Sequence, residues 1–125
     1  LTFSVAANAV YTFDGMLHWY TTDETNADMT LGLTSPSGAS GNWLGFAQPV
    51  SGTTADGIVR TMSTVIANTR TYGADSDTNN PSGLMLRGLL ITSSAGTFAA
   101  NFARTGASGT ITLLTNSYIT LTRVG

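Results

Sequence analysis

The chain has 125 residues, close to the commonest size for one domain, and 42% of them are hydrophobic. Only 10% are charged, lysine is absent and the five arginines are scattered, which excludes the clustered basic surface that nucleic-acid binding needs. The lack of cysteine excludes disulfides, cysteine-ligated zinc and thiol catalysis. Apolar runs fall short of the ~18 residues of a membrane span, so we expect no membrane insertion.

Alternation of apolar and polar residues predicts an all-β chain. Along Val10–Thr21, for example, every second side chain is apolar, which is typical of a half-buried strand. The same pattern predicts these strands: Leu1–Val5, Val10–Thr21, Met29–Thr34, Asn42–Val50, Gly57–Ala67, Leu84–Thr92, Thr97–Arg104, Thr110–Leu114 and Tyr118–Val124. Between them, Gly73–Gly83 is predicted to be a long polar loop. Eight or nine strands with a turn every 8–12 residues are the pattern of a sandwich or barrel, and we predict one antiparallel β-sandwich over residues 1–125.

Two points of organisation stay open. The stretch from Gly57 to Asn68 partly fits helical spacing, although its threonines and valines favour a strand. Leu1 is not methionine and already lies in a predicted strand, so we expect the domain to be a piece of a longer chain.

The residue types do not favour catalysis. His18 is the single histidine, and it falls on the polar phase of its strand, where a surface or interface role is expected. Most of the acidic residues fall in predicted loops and turns, where Asx-turns and caps explain them without a carboxylate dyad. We therefore predict a protein that is not an enzyme and has no cofactor.

One segment resembles the start of a calcium loop. Asp75, Asp77 and Asn79 have the spacing of oxygen ligands, but Asn80 and Leu86 stand where the motif needs glycine and glutamate. The alternatives are a calcium site of another kind and a hydrated surface loop.

Four aromatic residues are candidates for stacking on a sugar. Trp43 follows Gly41-Asn42 near a turn, and with Tyr72 it is the candidate for an exposed ligand surface. Trp19 and Tyr20 share one strand, and Trp19 is in phase with the apolar face. Core packing is the favoured interpretation for such large aromatic side chains.

Two arginines interrupt apolar strands. Arg87 and Arg123 must either face solvent or pair with acidic groups and carbonyls of a neighbouring copy, and the sequence leaves both open.

The final third of the chain carries a recognisable pattern. The strand at 83–92 is followed by Ala95-Gly96-Thr97-Phe98, a strand to Arg104, a Gly/Thr-rich turn and the run Asn116-Ser117-Tyr118-Ile119. This pattern, together with residues 28–39, resembles C-terminal modules of bacteriophage tail, fibre and minor capsid proteins, especially from phages of actinobacteria. The arrangement is similar to the trimeric jelly roll of tumour-necrosis-factor and complement-type heads. The resemblance implies that Tyr118, Ile119 and Leu121 lie near a subunit interface, to which we add Arg87 and Arg123 as candidates.

Two hypotheses follow. The first is a non-enzymatic virion structural module, located on the extracellular particle, that assembles as a homotrimer and contacts other virion proteins. The alternative is a carbohydrate- or receptor-binding module at a fibre tip, which would bind a host-surface glycan through Trp43, Tyr72 and the Asp75–Asn80 loop. An enzyme that degrades glycans is poorly supported.

Overall fold

A computed structural model describes residues 1–50 and 58–125 of the chain. These residues form ten strands: β1 (Thr2–Val5), β2 (Ala9–Thr21), β3 (Asp28–Thr34), β4 (Ser40–Ala47), β5 (Val59–Ser63), β6 (Thr69–Tyr72), β7 (Ser82–Thr92), β8 (Gly96–Thr105), β9 (Ile111–Leu113) and β10 (Tyr118–Arg123). The predicted all-β sandwich is confirmed, with slightly more strands than expected.

The strands make two sheets that pack face to face. The four-stranded sheet has the order β1-β8-β3-β6, and the six-stranded sheet has the order β10-β2-β7-β4-β5, with β9 also paired to β2. The ladders between described strands are antiparallel, and β1 pairs with β8, β2 with β7, β3 with β6 and β4 with β5. The first strand thus pairs with the eighth, the second with the seventh, the third with the sixth and the fourth with the fifth. A long hairpin that is rolled into a jelly roll has this pairing.

One predicted strand is shorter than expected, and a further strand follows it. Gly57–Ala67 was expected to be continuous, but β5 ends at Ser63, and β6 begins at Thr69, beyond the predicted range; residue 57 itself lies outside the described residues. The Ser63 hydroxyl donates to the Val65 carbonyl (2.7 Å), and the Asn68 N–H donates to the same carbonyl (3.3 Å), which closes a turn. Because β5 and β6 join different sheets, Ile66 points into the core from this turn rather than from a strand.

The core lies between the sheets and is built around large side chains. Trp19, Phe13 and Leu17 from β2 are buried beside Phe98 from β8. The Phe13 and Phe98 rings lie 5.0 Å apart between centroids, so β2 packs over β8. At the other side of the sandwich, Tyr72 of β6 covers Gly45 of β4.

Candidate functional site

The outer face of the six-stranded sheet carries a row of exposed apolar side chains. Tyr118 of β10, Met16 of β2, Met85 of β7 and Phe46 of β4 are partners in register, so they point to the same side. Met85 is 65% exposed, Tyr118 48% and Phe46 40%. We call these four residues the apolar row. Side chains of this size, contiguous across four strands, form one apolar patch rather than scattered surface residues.

A second row runs beside it and holds two opposite charges. In register across the sheet it consists of Thr120, Asp14, Arg87, Leu44 and Met62. Met62 is 57% exposed, and both charged residues are exposed. We call this the charged row, and the two rows together the methionine face.

Shallow depressions flank the apolar row on both sides. One, of about 330 Å³, is lined by side chains of both rows, including Asp14 and Arg87. The other, of about 350 Å³, lies toward Gln48, Ile58 and Gly83. Such relief allows side chains of a partner to be inserted on either side of the row.

The outer face of the four-stranded sheet is chemically different. Its outward residues are small and, apart from Asp28, uncharged; we call them the threonine face: Thr2, Ser4, Asp28, Thr30, Gly32, Thr34, Thr69, Thr71, Thr97, Ala99, Asn101, Ala103 and Thr105. Thr30 shares hydrogen bonds with Thr71 (3.0 Å) and Thr105 through the hydroxyl groups. Hydroxyl groups that are paired to one another along a face leave few free partners for a ligand.

Two of the five predicted interface residues lie on the methionine face. Tyr118 and Arg87 are on it. Ile119 is the next residue after Tyr118, so it points to the opposite side, where it is buried in the chain's own core. Leu121 also packs against the core. Ile119 and Leu121 are therefore corrected from interface candidates to core-facing residues.

The fifth candidate, Arg123, stands apart from this face. It is in register with the core residue Tyr11, but it lies at the end of β10, where its side chain is exposed. Its Nε donates a hydrogen bond to the Gly125 carbonyl at 3.1 Å.

Trp43 and Tyr72, the candidates for a ligand surface, are core residues, as the favoured interpretation of core packing predicts. Trp43 is 1% exposed and Tyr72 is 0% exposed, so neither can stack on a sugar. Trp43 lies in register with Gly88, and the Phe13 ring packs over that glycine on the inner surface of the sheet. The alternative of a glycan site on these two residues is therefore wrong.

The Tyr72 hydroxyl is held inside the sandwich. It shares a 2.6 Å hydrogen bond with the Thr61 hydroxyl of β5. Burial raises the pKa of Tyr72, while Thr61 and then Arg70 act in the opposite direction. This bond joins the two sheets through a buried polar group.

The predicted calcium ligands are used in local turns. The Asp75 carboxylate accepts from the Asp77 N–H (2.9 Å), and the Asp77 carboxylate accepts from the Asn79 N–H (2.8 Å). These are successive Asx-turns, the alternative that the sequence left open as a surface loop. Within residues 1–50 and 58–125, no group of three or more His, Cys, Asp or Glu side chains could hold a metal ion.

His18 is half-buried on β2, on the same side of the sheet as the methionine face. Its backbone is fixed by the turn before β10: the N–H donates to the Ser117 hydroxyl (2.9 Å), and the carbonyl accepts from the Leu114 N–H (2.8 Å). These bonds anchor β10 beside β2 and so position Tyr118 next to Met16.

Seven of the nine residues of the methionine face had not been predicted as interface residues: Met16, Phe46, Met85, Asp14, Leu44, Met62 and Thr120. The signal was present in β7, where Leu84, Leu86 and Leu90 alternate with Met85 and Ile91. In an antiparallel sandwich, one side of such a strand faces the core, and apolar side chains on its other side are suited to contact with a further protein surface.

Comparisons with other proteins give no family assignment. No family model matches the sequence, and neither the curated proteins nor the solved structures compared with it yield a match. The part of the chain that the structure describes has no helix with the length and apolarity to cross a bilayer.

Proposed function

We propose that this chain is a non-enzymatic structural module of a bacteriophage-type virion, a capsid-decorating, minor capsid, fibre or tail domain. It acts by assembling with copies of itself, as a homotrimer, on the extracellular particle. The observation that carries the assembly function is the apolar row of Tyr118, Met16, Met85 and Phe46 on an outer sheet face. The virion location depends on the sequence resemblance.

The composition supports an assembly role. Lysine, which often blocks unwanted association at sheet surfaces, is absent from the chain, and only 10% of the residues are charged. Threonine, serine and asparagine provide the remaining polarity. A surface of hydroxyls and amides is less costly to remove from water than a charged one, so it suits contacts between protein copies.

The size of the face limits how much of an interface it can supply. Its two rows cross up to five strands at ~4.8 Å spacing and lie two residues apart along β2, which gives a strip of roughly 24 by 10 Å. A stable specific interface buries ~800 Å² per partner, so the proposed contact between copies also includes residues beside the two rows.

Sedimentation velocity of the wild type and two matched variants tests the assembly. Met85→Asp inserts a charge into the apolar row, and Ala103→Asp inserts the same charge on the threonine face. We expect the wild type and Ala103→Asp to sediment as trimers at micromolar concentration and Met85→Asp as a monomer. A wild type that remains monomeric over the whole concentration range contradicts the proposed assembly.

The particle location has its own test. Mass spectrometry of purified particles from the source of the sequence should detect this polypeptide at a copy number that is a multiple of three. Its absence from particles, with the protein present in the cell lysate, contradicts the virion proposal and leaves the self-association result intact.

A further inference from the structure

We infer that Asp14 and Arg87 orient the copies against one another: the Arg87 guanidinium of one copy pairs with the Asp14 carboxylate of its neighbour. This inference rests on the proposed self-assembly through the methionine face and adds the residues that determine its register. The partner is therefore a second copy of this chain.

The position of the two charges supports this pairing. Asp14 and Arg87 are directly opposite each other on β2 and β7, in the middle three strands of the face. The apolar row passes beside them through Met16 and Met85, two residues further along the same strands. A partner that covers the apolar row therefore also removes water from both charges.

Asp14 and Arg87 cannot satisfy all of each other's hydrogen-bonding groups within one chain. A guanidinium has five N–H donors and a carboxylate accepts at about four positions, so a single cross-strand contact leaves groups unsatisfied when water is excluded. Covered charges with incomplete partners destabilise a complex, so a stable one must supply those partners.

A second copy supplies the missing groups. It carries the same carboxylate and guanidinium, so in a trimer one neighbour can offer its Asp14 carboxylate to Arg87 while the other neighbour offers its Arg87 guanidinium to Asp14. An aliphatic lipid chain would fill the two depressions beside the apolar row without giving the charges a partner, and the backbone of an apolar peptide would offer amides but no opposite charge. Charge complementarity thus favours self-association over both occupants.

Charge reversal gives a test that separates contacts between copies from contacts within one chain. Asp14→Arg leaves two positive charges at the centre of the face, and Arg87→Asp leaves two negative charges. Both residues are exposed, so the isolated domain should fold in each case. Each single variant should self-associate at least about tenfold more weakly than the wild type, because like charges would meet at the interface.

Mixtures of the charge-reversal variants test directly whether Asp14 and Arg87 pair between copies. A tagged Asp14→Arg chain should capture untagged Arg87→Asp chain, but not untagged Asp14→Arg. The double variant D14R/R87D should associate with itself as the wild type does, and should co-assemble with the wild type at least about tenfold less, because acid would meet acid and base would meet base. Circular dichroism and the midpoint of urea unfolding confirm that all chains are folded.

The outcomes separate the inference from the proposed function. Single variants that associate as tightly as the wild type overturn the role of the charges, while the assembly itself stands. Free mixing of D14R/R87D with the wild type shows that the pair acts only within one chain, which also overturns the inference. A wild type that does not associate overturns both.

Discussion

The two outer faces of the sandwich are built on the same alternating backbone but have opposite chemistry. The threonine face consists of small side chains, several of which pair through hydroxyl groups, as Thr30 does with Thr71. The methionine face exposes flexible apolar side chains such as Met62 and Met85. Because methionine adapts to irregular surfaces, the methionine face is better suited than the threonine face to close apolar contact. A β-sandwich needs only its inner faces apolar, so the apolar outer face supports the proposed contact between copies.

The largest expected effect is on the free energy of unfolding, and it contrasts the inner and outer sides of the six-stranded sheet. Trp43→Ala removes a fully buried ring from the inner side and should lower the free energy of unfolding by about 3–5 kcal/mol. Met85→Ala, on the outer side, should change it by less than ~0.5 kcal/mol. Urea unfolding of dilute, monomeric protein measures both. A Trp43→Ala change of under ~1 kcal/mol would mean that Trp43 is not a core residue.

A smaller effect, on the pH dependence of the melting temperature, comes from two carboxylates outside the methionine face. Burial raises the pKa of Asp28, on the threonine face, above the ordinary value of 3.8, with a weaker opposing hydrogen bond from Ala74. Folding therefore favours the protonated form. The contribution of this carboxyl group to stability is present below pH 3.8 and is lost as the pH rises through the raised pKa. Asp28→Asn should raise the melting temperature at pH 7 and have no effect near pH 3.

The pKa of Asp23 is shifted in the opposite direction, so this carboxylate serves as the comparison for Asp28. Hydrogen bonds from Ser108 and then Asn26 lower the pKa of its carboxyl below 3.8. Its contribution to stability is present above pH 3.8 and lost as the pH falls through the lowered pKa. Asp23→Asn should therefore lower the melting temperature at pH 7, and the difference should shrink in acid. Equal shifts in the same direction for both variants would contradict this assignment.

Most of the fold could be predicted from the sequence because period-two patterning is strong where one face is buried. β2 and β8 were predicted to within one residue at each end, and β7 to within two. β6 was missed because its four residues, Thr69–Tyr72, alternate too briefly to be distinguished from the preceding strand. The pairing of strands comes from contacts distant in sequence, which local patterns do not report.

The candidate site was predicted less well. Trp43 was a candidate for an exposed position because it follows a turn, although core packing was the favoured interpretation. Its burial on the inner side of β4 depends on the packing of one sheet on the other, which the residues around it in the sequence do not report. Tyr118 and Ile119 were both assigned to an interface, although adjacent residues of a strand face opposite sides. The methionine face itself required the strand order, because its residues come from five separate segments.

The central claim is that the methionine face is covered in the assembled protein. The chain has four methionines, of which Met16, Met62 and Met85 lie on this face and Met29 is buried in the core as an internal reference. The most direct measurement is ¹³C-methyl NMR of methionine-labelled protein with a soluble paramagnetic probe, at concentrations below and above assembly. We predict that the three outer methyl groups lose their exposure to the probe on assembly while Met29 is protected throughout. Outer methyl groups that stay equally exposed in the assembled protein would contradict the account.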